Sequence, residues 1–297
     1  MVIVSPGPTA AKQGLKPTGK NSAARVSEQG NYVGLLAGEL CGWHDPRERV
    51  ADVIHRGCFV LFAQDIVSLV SNGMYVLGRE ILVRMREEED MLLPPGAFLP
   101  VLEHFNLMPA LDAWVIRDLA RRHEQNRIPE NGIDFVNISS RTLSDAAFRD
   151  ALREEIDLSR LVPKHLCLEI DEVDAATLTT ESTAFVEAMK ARGCRIAIDH
   201  FGKGKVSFDL LKRLRVDFVK LDAGLIINLL KNPVALATVR AIQRICGTIG
   251  VETIAQSVES SESARHLQVL GVGHAQGFFY SAPRCVELGP APAGAQL

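Results

Sequence analysis

An alternation that sets in after Asp45 limits what this chain can become. Short apolar runs of strand character take turns with longer segments of helical period. Strands are predicted at residues 58–63, 75–83, 133–138, 165–170, 195–199, 217–221, 251–255 and 274–279. Helices are predicted at 46–56, 97–105, 111–127, 145–156, 180–192, 207–214, 234–249 and 261–270. The first two strands flank a Ser71-Asn-Gly73 turn and read as a hairpin. Beyond them each strand is followed by a helix in units of about 30 residues, which a chain can satisfy only with a parallel sheet whose crossovers are helical. Roughly eight strands favour a closed (β/α)8 barrel over an open doubly wound sheet. An open sheet would carry a glycine-rich phosphate loop after its first strand, and Gly202-Lys-Gly204 lacks that spacing.

Composition narrows the function classes. Thirty-three basic against 36 acidic side chains leave a formal charge of −3 over 297 residues, too balanced for wrapping DNA or RNA or for adhering to an anionic membrane. No apolar stretch is long enough to span a bilayer, and the six scattered cysteines lack a Cys-x-x-Cys pair, so a reducing cytoplasm is expected. Residues 1–45, rich in Pro, Gly, Ser and Lys, read as a flexible segment or linker, 46–288 as the barrel domain and 289–297 as a tail.

Functional groups of a barrel project from the carboxyl ends of its strands. Those ends carry Glu80, Asn137, Glu169, Asp199 with His200, Lys220 with Asp222, Gln256 with Glu259, and Gln276. Carboxylates closing apolar runs are costly to bury alone, so they are expected to converge on a cation, and oxygen donors of this kind suit Mg²⁺, Mn²⁺ or Ca²⁺. Taken singly, His200 reads equally as a hydrogen-bonded strand-end histidine, and Lys220 with Asp222 as an ordinary ion pair.

Eight blocks carry a resemblance. They are Glu80-Ile-Leu-Val-Arg84, Leu93-Pro-Pro-Gly-Ala-Phe-Leu-Pro100, Val136-Asn-Ile-Ser139, Leu168-Glu-Ile-Asp-Glu172, Asp199-His-Phe-Gly202, Val216-Asp-Phe-Val-Lys-Leu-Asp222, Ile254-Ala-Gln-Ser-Val-Glu259 and Ala275-Gln-Gly277. In this order they resemble the EAL domain family of cyclic di-GMP phosphodiesterases and their non-catalytic relatives. The resemblance implies a TIM-type barrel with an antiparallel first strand and two divalent metals at its mouth. It assigns the first metal to Glu80, Asn137, Glu169 and Asp199, places Lys220 near the attacking water and Gln276 beside the site, and gives the dinucleotide to Gln64, Arg84, Asp217 and Glu259, with Gln276 among the binding groups.

Two departures coincide. The family's second aspartate is His200 here, and the first glutamate of its Glu-x-Val-Glu block is Gln256. Both missing acids belong, by the resemblance, to the second metal. The implied reading is a degenerate EAL domain, a non-catalytic receptor of cyclic di-GMP with Mg or Mn at one site, the second site lost and Lys220 vestigial. A weak metal-dependent phosphodiesterase and a partner-binding barrel without nucleotide are the alternatives. A protein partner and a homodimer are also expected. Lys203 and Lys205 near the stripped position are expected to supply positive charge to a phosphate.

Overall fold

The structure, a computed structural model, describes residues 48, 52–54, 56, 58–70, 75–86, 91–125, 132–158, 161–204 and 208–286. The expected lead-in, the tail, the 71–73 turn, most of the 46–56 helix and Lys205 lie outside the described residues.

Ten strands form one sheet: β1 (Phe59–Ser68), β2 (Val76–Arg86), β3 (Leu92–Leu93), β4 (Ile133–Asn137), β5 (Leu166–Asp171), β6 (Arg195–Phe201), β7 (Phe218–Leu221), β8 (Glu252–Ala255), β9 (His274–Ala275) and β10 (Arg284–Cys285). Their order is β10-β1-β9-β8-β7-β6-β5-β4-β2-β3, and the additional β1–β2 pairing closes the sheet on itself. With β3 and β10 as short appendages, the ring is an eight-stranded barrel. β1 runs antiparallel to both its neighbours in the ring, β2 and β9, and to the appended β10, while β2 and β4 to β9 run parallel. Only seven residues separate β1 from β2, too few for a crossover helix, and the pair is antiparallel.

The outer layer follows from local sequence. The helix Pro233–Ile249 shows how: Asn232 caps it by accepting from Val234 N, Pro233 stands in its first turn, and Gly250 ends it in the left-handed conformation. Its buried residues Ala235, Val239, Ile242 and Cys246 recur every three or four positions and face the barrel.

Inside the ring the two-residue period of a strand does the positioning. Ile66, Ile133, Phe135, Cys167, Ala197, Phe218 and Ile254 form a compact apolar cluster of their own, separate from the layer between sheet and helices. Two residues beyond these positions come Asn137 after Phe135, Glu169 after Cys167, Asp199 after Ala197, Lys220 after Phe218 and Gln256 after Ile254. On the antiparallel β1 the direction reverses, and Gln64 precedes Ile66. One apolar layer thus plugs the barrel, and the polar set lies one step above it.

The predicted strand at 274–279 is cut short to His274–Ala275. Gly277, at φ +156°, lies so close to the backbone at Val258 that an added Cβ would come within 2.2 Å of its carbonyl oxygen. The chain leaves the sheet there, tied by Val258 N to Gln276 O and Phe279 N to Val258 O.

Candidate functional site

At the carboxyl ends of the parallel strands, Lys220 is wholly buried and surrounded by acids. Its Nζ lies 2.8 and 2.9 Å from the two oxygens of Glu169, 3.0 Å from Glu80 Oε2 and 3.8 Å from Asp199 Oδ1. Glu80 accepts from Asn137 Nδ2 at 3.2 Å and from Gln276 Nε2 at 2.6 Å, and the same Gln276 nitrogen donates to Gln64 Oε1 at 3.0 Å. Six strands of the barrel, β1, β2, β4, β5, β6 and β7, therefore meet in one network with the residue that follows β9.

Three carboxylates around one ammonium leave an excess of negative charge. Burial works against the Lys220 charge, but Asp199, Glu169 and Glu80 outweigh it and raise its pKa, so the ammonium persists. Burial also opposes ionisation of Glu80, yet the Lys220 charge and the hydrogen bonds from Gln276, Lys220 and Asn137 prevail and lower its pKa. Glu169 goes the other way: burial, with the charges of Glu80 and Asp199, overcomes Lys220 and pushes it well above the usual carboxylate range.

Asp199 is hemmed in by donors. Its Oδ1 accepts from His200 N at 2.9 Å and Gln256 Nε2 at 2.8 Å, and its Oδ2 lies 3.3 Å from His200 Nδ1. The same imidazole nitrogen is 3.2 Å from Asp171 Oδ2. His200 has φ +53° and lies where the β6–β7 register shifts, a bulge that turns successive side chains out of the strand alternation. Asp171 beside the ring, with the charge of Asp199, raises the His200 pKa despite burial and Lys220. Nδ1 makes no hydrogen bond of good geometry, so His200 is a strand-end histidine set between two carboxylates.

A cavity of about 270 Å³ opens above this network, lined by Gln64, Glu80, His200, Gln256, Glu259 and Gln276 together with Ala223, Ser257, Gly277 and Phe278. The structure brings Glu80, Asn137, Glu169, Asp199, His200, Lys220, Gln256, Gln276 and Gln64 together, and Glu259 joins them as an exposed residue of the cavity wall. Arg84 stands four residues beyond Glu80 on β2, 5.3 Å above the Phe62 ring, donating to Val83 O.

Asp217 is not part of this group. It precedes β7, at the opposite end of the barrel from Lys220, where both its oxygens are 2.8 Å from Lys190 Nζ and Oδ2 also accepts from Ile196 N. The dinucleotide-binding expectation for Asp217 gives way to a structural role, because a residue at the amino end of a parallel strand faces away from the mouth. Nor does Asp222 pair with Lys220: it caps the helix Ala223–Ile227 by accepting from Gly224 N. Lys203 is exposed and donates its backbone N–H to His200 O. Asp171, Ser257 and Phe278 were missed by sequence reasoning. Phe278, directly after the Ala275-Gln-Gly277 block and 68% exposed, carried the one available signal, an apolar residue adjoining a polar strand end.

The donor chemistry suits a divalent cation. Glu80, Asn137, Glu169 and Asp199 offer oxygens, and Gln256 Oε1 and Gln276 Oε1 are buried without a hydrogen-bond partner. As the side chains stand, no group of three or more His, Cys, Asp or Glu among the described residues is disposed to ligate an ion, because the Lys220 ammonium lies where the carboxylates meet.

Comparison with known proteins follows the same lines. The sequence matches the description EAL domain over residues 47–283. It is 29% identical over 237 residues to the cyclic di-GMP phosphodiesterase PdeB of Shewanella oneidensis, covering 80% of this chain and 28% of that protein. Over 249 residues it is 32% identical to the bifunctional diguanylate cyclase/cyclic di-GMP phosphodiesterase MucR of Pseudomonas aeruginosa, covering 82% and 35%. The chain thus spans about a third of the length of these relatives. Among solved structures, the PaMucR phosphodiesterase in complex with c-di-GMP superposes with a TM-score of 0.72 at 30% identity, covering 80% of this chain and 96% of that one. The FimX EAL domain from Pseudomonas aeruginosa bound to c-di-GMP shares the fold, at a TM-score of 0.73 and 23% identity, over 80% and 96% of the two chains. Eight ordered blocks, a barrel whose first strand alone runs antiparallel, and a match spanning residues 47–283 lead to one conclusion: this chain belongs to the EAL domain family.

Proposed function

We propose that this EAL domain binds cyclic di-GMP and has lost all or nearly all capacity to hydrolyse it. The observation that carries the reading is the state of Asp199: Gln256 donates to Oδ1 at 2.8 Å, and the His200 imidazole stands against Oδ2. An active member would need carboxylates at both substituted positions for its second metal. A neutral amide keeps an acceptor oxygen but not the charge that holds a divalent ion, and imidazole is a poor ligand for Mg²⁺. If the second ion contributes ~4 kcal/mol of transition-state stabilisation, its loss slows turnover about 10³-fold.

Binding is supported by what persists. Gln64, Glu259 and Gln276 line a cavity of about 270 Å³, and Arg84 stands beyond Glu80 on the same strand. Relatives named as cyclic di-GMP phosphodiesterases and EAL domains solved with c-di-GMP favour that ligand. One Mg²⁺ or Mn²⁺ at Glu80, Asn137, Glu169 and Asp199, a second copy or protein partner as output, and a reducing cytoplasm belong to the same reading. Cys58, Cys167, Cys194, Cys246 and Cys285 are unpaired, in keeping with such a compartment. Among the described residues no helix is long and apolar enough to cross a membrane.

Isothermal titration calorimetry tests the binding half. Saturable uptake of cyclic di-GMP at micromolar concentration is expected, and an empty isotherm at tens of micromolar ligand, with and without Mg²⁺, sinks it. A weak phosphodiesterase is the second reading, favoured by the intact grouping of Glu80, Asn137, Glu169, Asp199 and Lys220.

A further inference from the structure

A second polar cluster lies behind the candidate site, between the barrel and its outer helices. Asp112, on the helix Met108–Glu124, is 4% exposed. Its Oδ2 accepts from Ser139 N at 3.0 Å, Ser139 Oγ at 2.7 Å and Thr142 Oγ1 at 2.6 Å. Ser139 Oγ in turn caps the helix Ser140–Ser144 through Thr142 N, and Thr142 is buried with it.

The position of this cluster gives it reach. Ser139 follows Asn137 by two residues, and the residue between them donates Ile138 N to Glu169 O at 2.9 Å. The two amides after Asn137 are therefore fixed in turn, one to the neighbouring barrel strand and the next to a carboxylate in the outer layer. Immediately before these two anchors the Asn137 side-chain amide reaches 3.2 Å across to Glu80 Oε1. A helix cap needs one acceptor, which Ser139 already supplies. Burying a carboxylate to gather three further donors from the same turn is costly, and what it adds is a single conformation at the carboxyl end of β4.

We propose that Asp112 is a positioning residue for the mouth: by clamping Ser139 and Thr142 it aims the Asn137 amide at Glu80 and so sets the geometry in which Glu80 and Asn137 meet a ligand or cation. The effect on ligand affinity rests on the cyclic di-GMP reading above; the effect on Asn137 does not.

The test combines side-chain amide NMR of the ligand-free protein with calorimetry, using Asp112→Ala, Asp112→Asn, Asn137→Ala and the double variant of Asp112→Ala with Asn137→Ala. In Asp112→Ala the Asn137 side-chain amide signals move toward those of an unbonded amide, and Kd for cyclic di-GMP rises about tenfold. Asp112→Asn, which keeps an acceptor oxygen, recovers most of both. With Asn137 already replaced, Asp112→Ala changes Kd less than twofold, since its effect passes through that side chain. Unchanged Asn137 amide signals in a folded Asp112→Ala overturn the proposal, and so does an undiminished tenfold effect in the Asn137→Ala background. Should Asp112→Ala fail to fold, Thr142→Val removes one of the three donors and is read by the same signals. Should the parent bind no cyclic di-GMP, the amide signals alone decide, and the failure is that of the binding reading.

Discussion

At the scale of the residue, the mouth of this barrel is governed by a mismatch of charge. Lys220 cannot neutralise Glu80, Glu169 and Asp199 together, and the imbalance falls on Glu169, whose pKa burial and its acidic neighbours raise. Asp112 shows a related effect in a place where it can be measured. Burial pushes its carboxyl up to about 6 against the hydrogen bonds from Thr142 and Ser139. A raised carboxyl pKa means the folded state holds the proton more tightly, so this group's contribution is fully present below the ordinary aspartate pKa and is lost as pH rises toward 6. A rise of that size corresponds to ~3 kcal/mol between the two protonation states. Asp112→Asn does not titrate, so urea midpoints at pH 4 and pH 6.5 should show the variant gaining about that much on the parent as pH rises. Parallel stability profiles for the two proteins would contradict the assignment.

At the scale of the element, the period of two explains why so much of the site was legible. Phe135 to Asn137, Cys167 to Glu169, Ala197 to Asp199 and Phe218 to Lys220 each step from the plug to the mouth, a pattern visible in the bare sequence. What escaped were features with no local signature. Asp171 stands one strand step beyond Glu169 at the very end of β5, and it meets His200 through the bulge in β6, which no local pattern foretells. The short helices Ser140–Ser144, Glu172–Thr177 and Ala223–Ile227 offer too few residues for a period to emerge. Asp217 was misplaced because block membership says nothing about which end of a strand a residue occupies. Its replacement distinguishes the two roles: Asp217→Asn should cost about 1 kcal/mol of stability through Lys190 and Ile196 N, read by denaturant titration, while leaving the cyclic di-GMP isotherm unchanged. A weakened isotherm at full stability would return Asp217 to the ligand.

At the scale of the whole molecule, the alternation that predicted a barrel also fixed where chemistry could occur, because eight strands closing around one apolar plug leave a single polar mouth on the carboxyl side. The near-neutral total charge gave no hint of this, since the acids of the mouth are balanced by bases elsewhere on the chain. The fold and the family were legible in the sequence. In the proposed reading, turnover of cyclic di-GMP hinges on two positions, His200 and Gln256, of which Gln256 donates to Asp199 and His200 stands beside it. The deciding experiment is release of linear dinucleotide from cyclic di-GMP, over hours with Mn²⁺, by the parent and by the double variant His200→Asp with Gln256→Glu. The account predicts that the folded double variant releases product at least about 10²-fold faster than the parent. Parent turnover as fast as the double variant's, and abolished by Glu80→Ala, would contradict it.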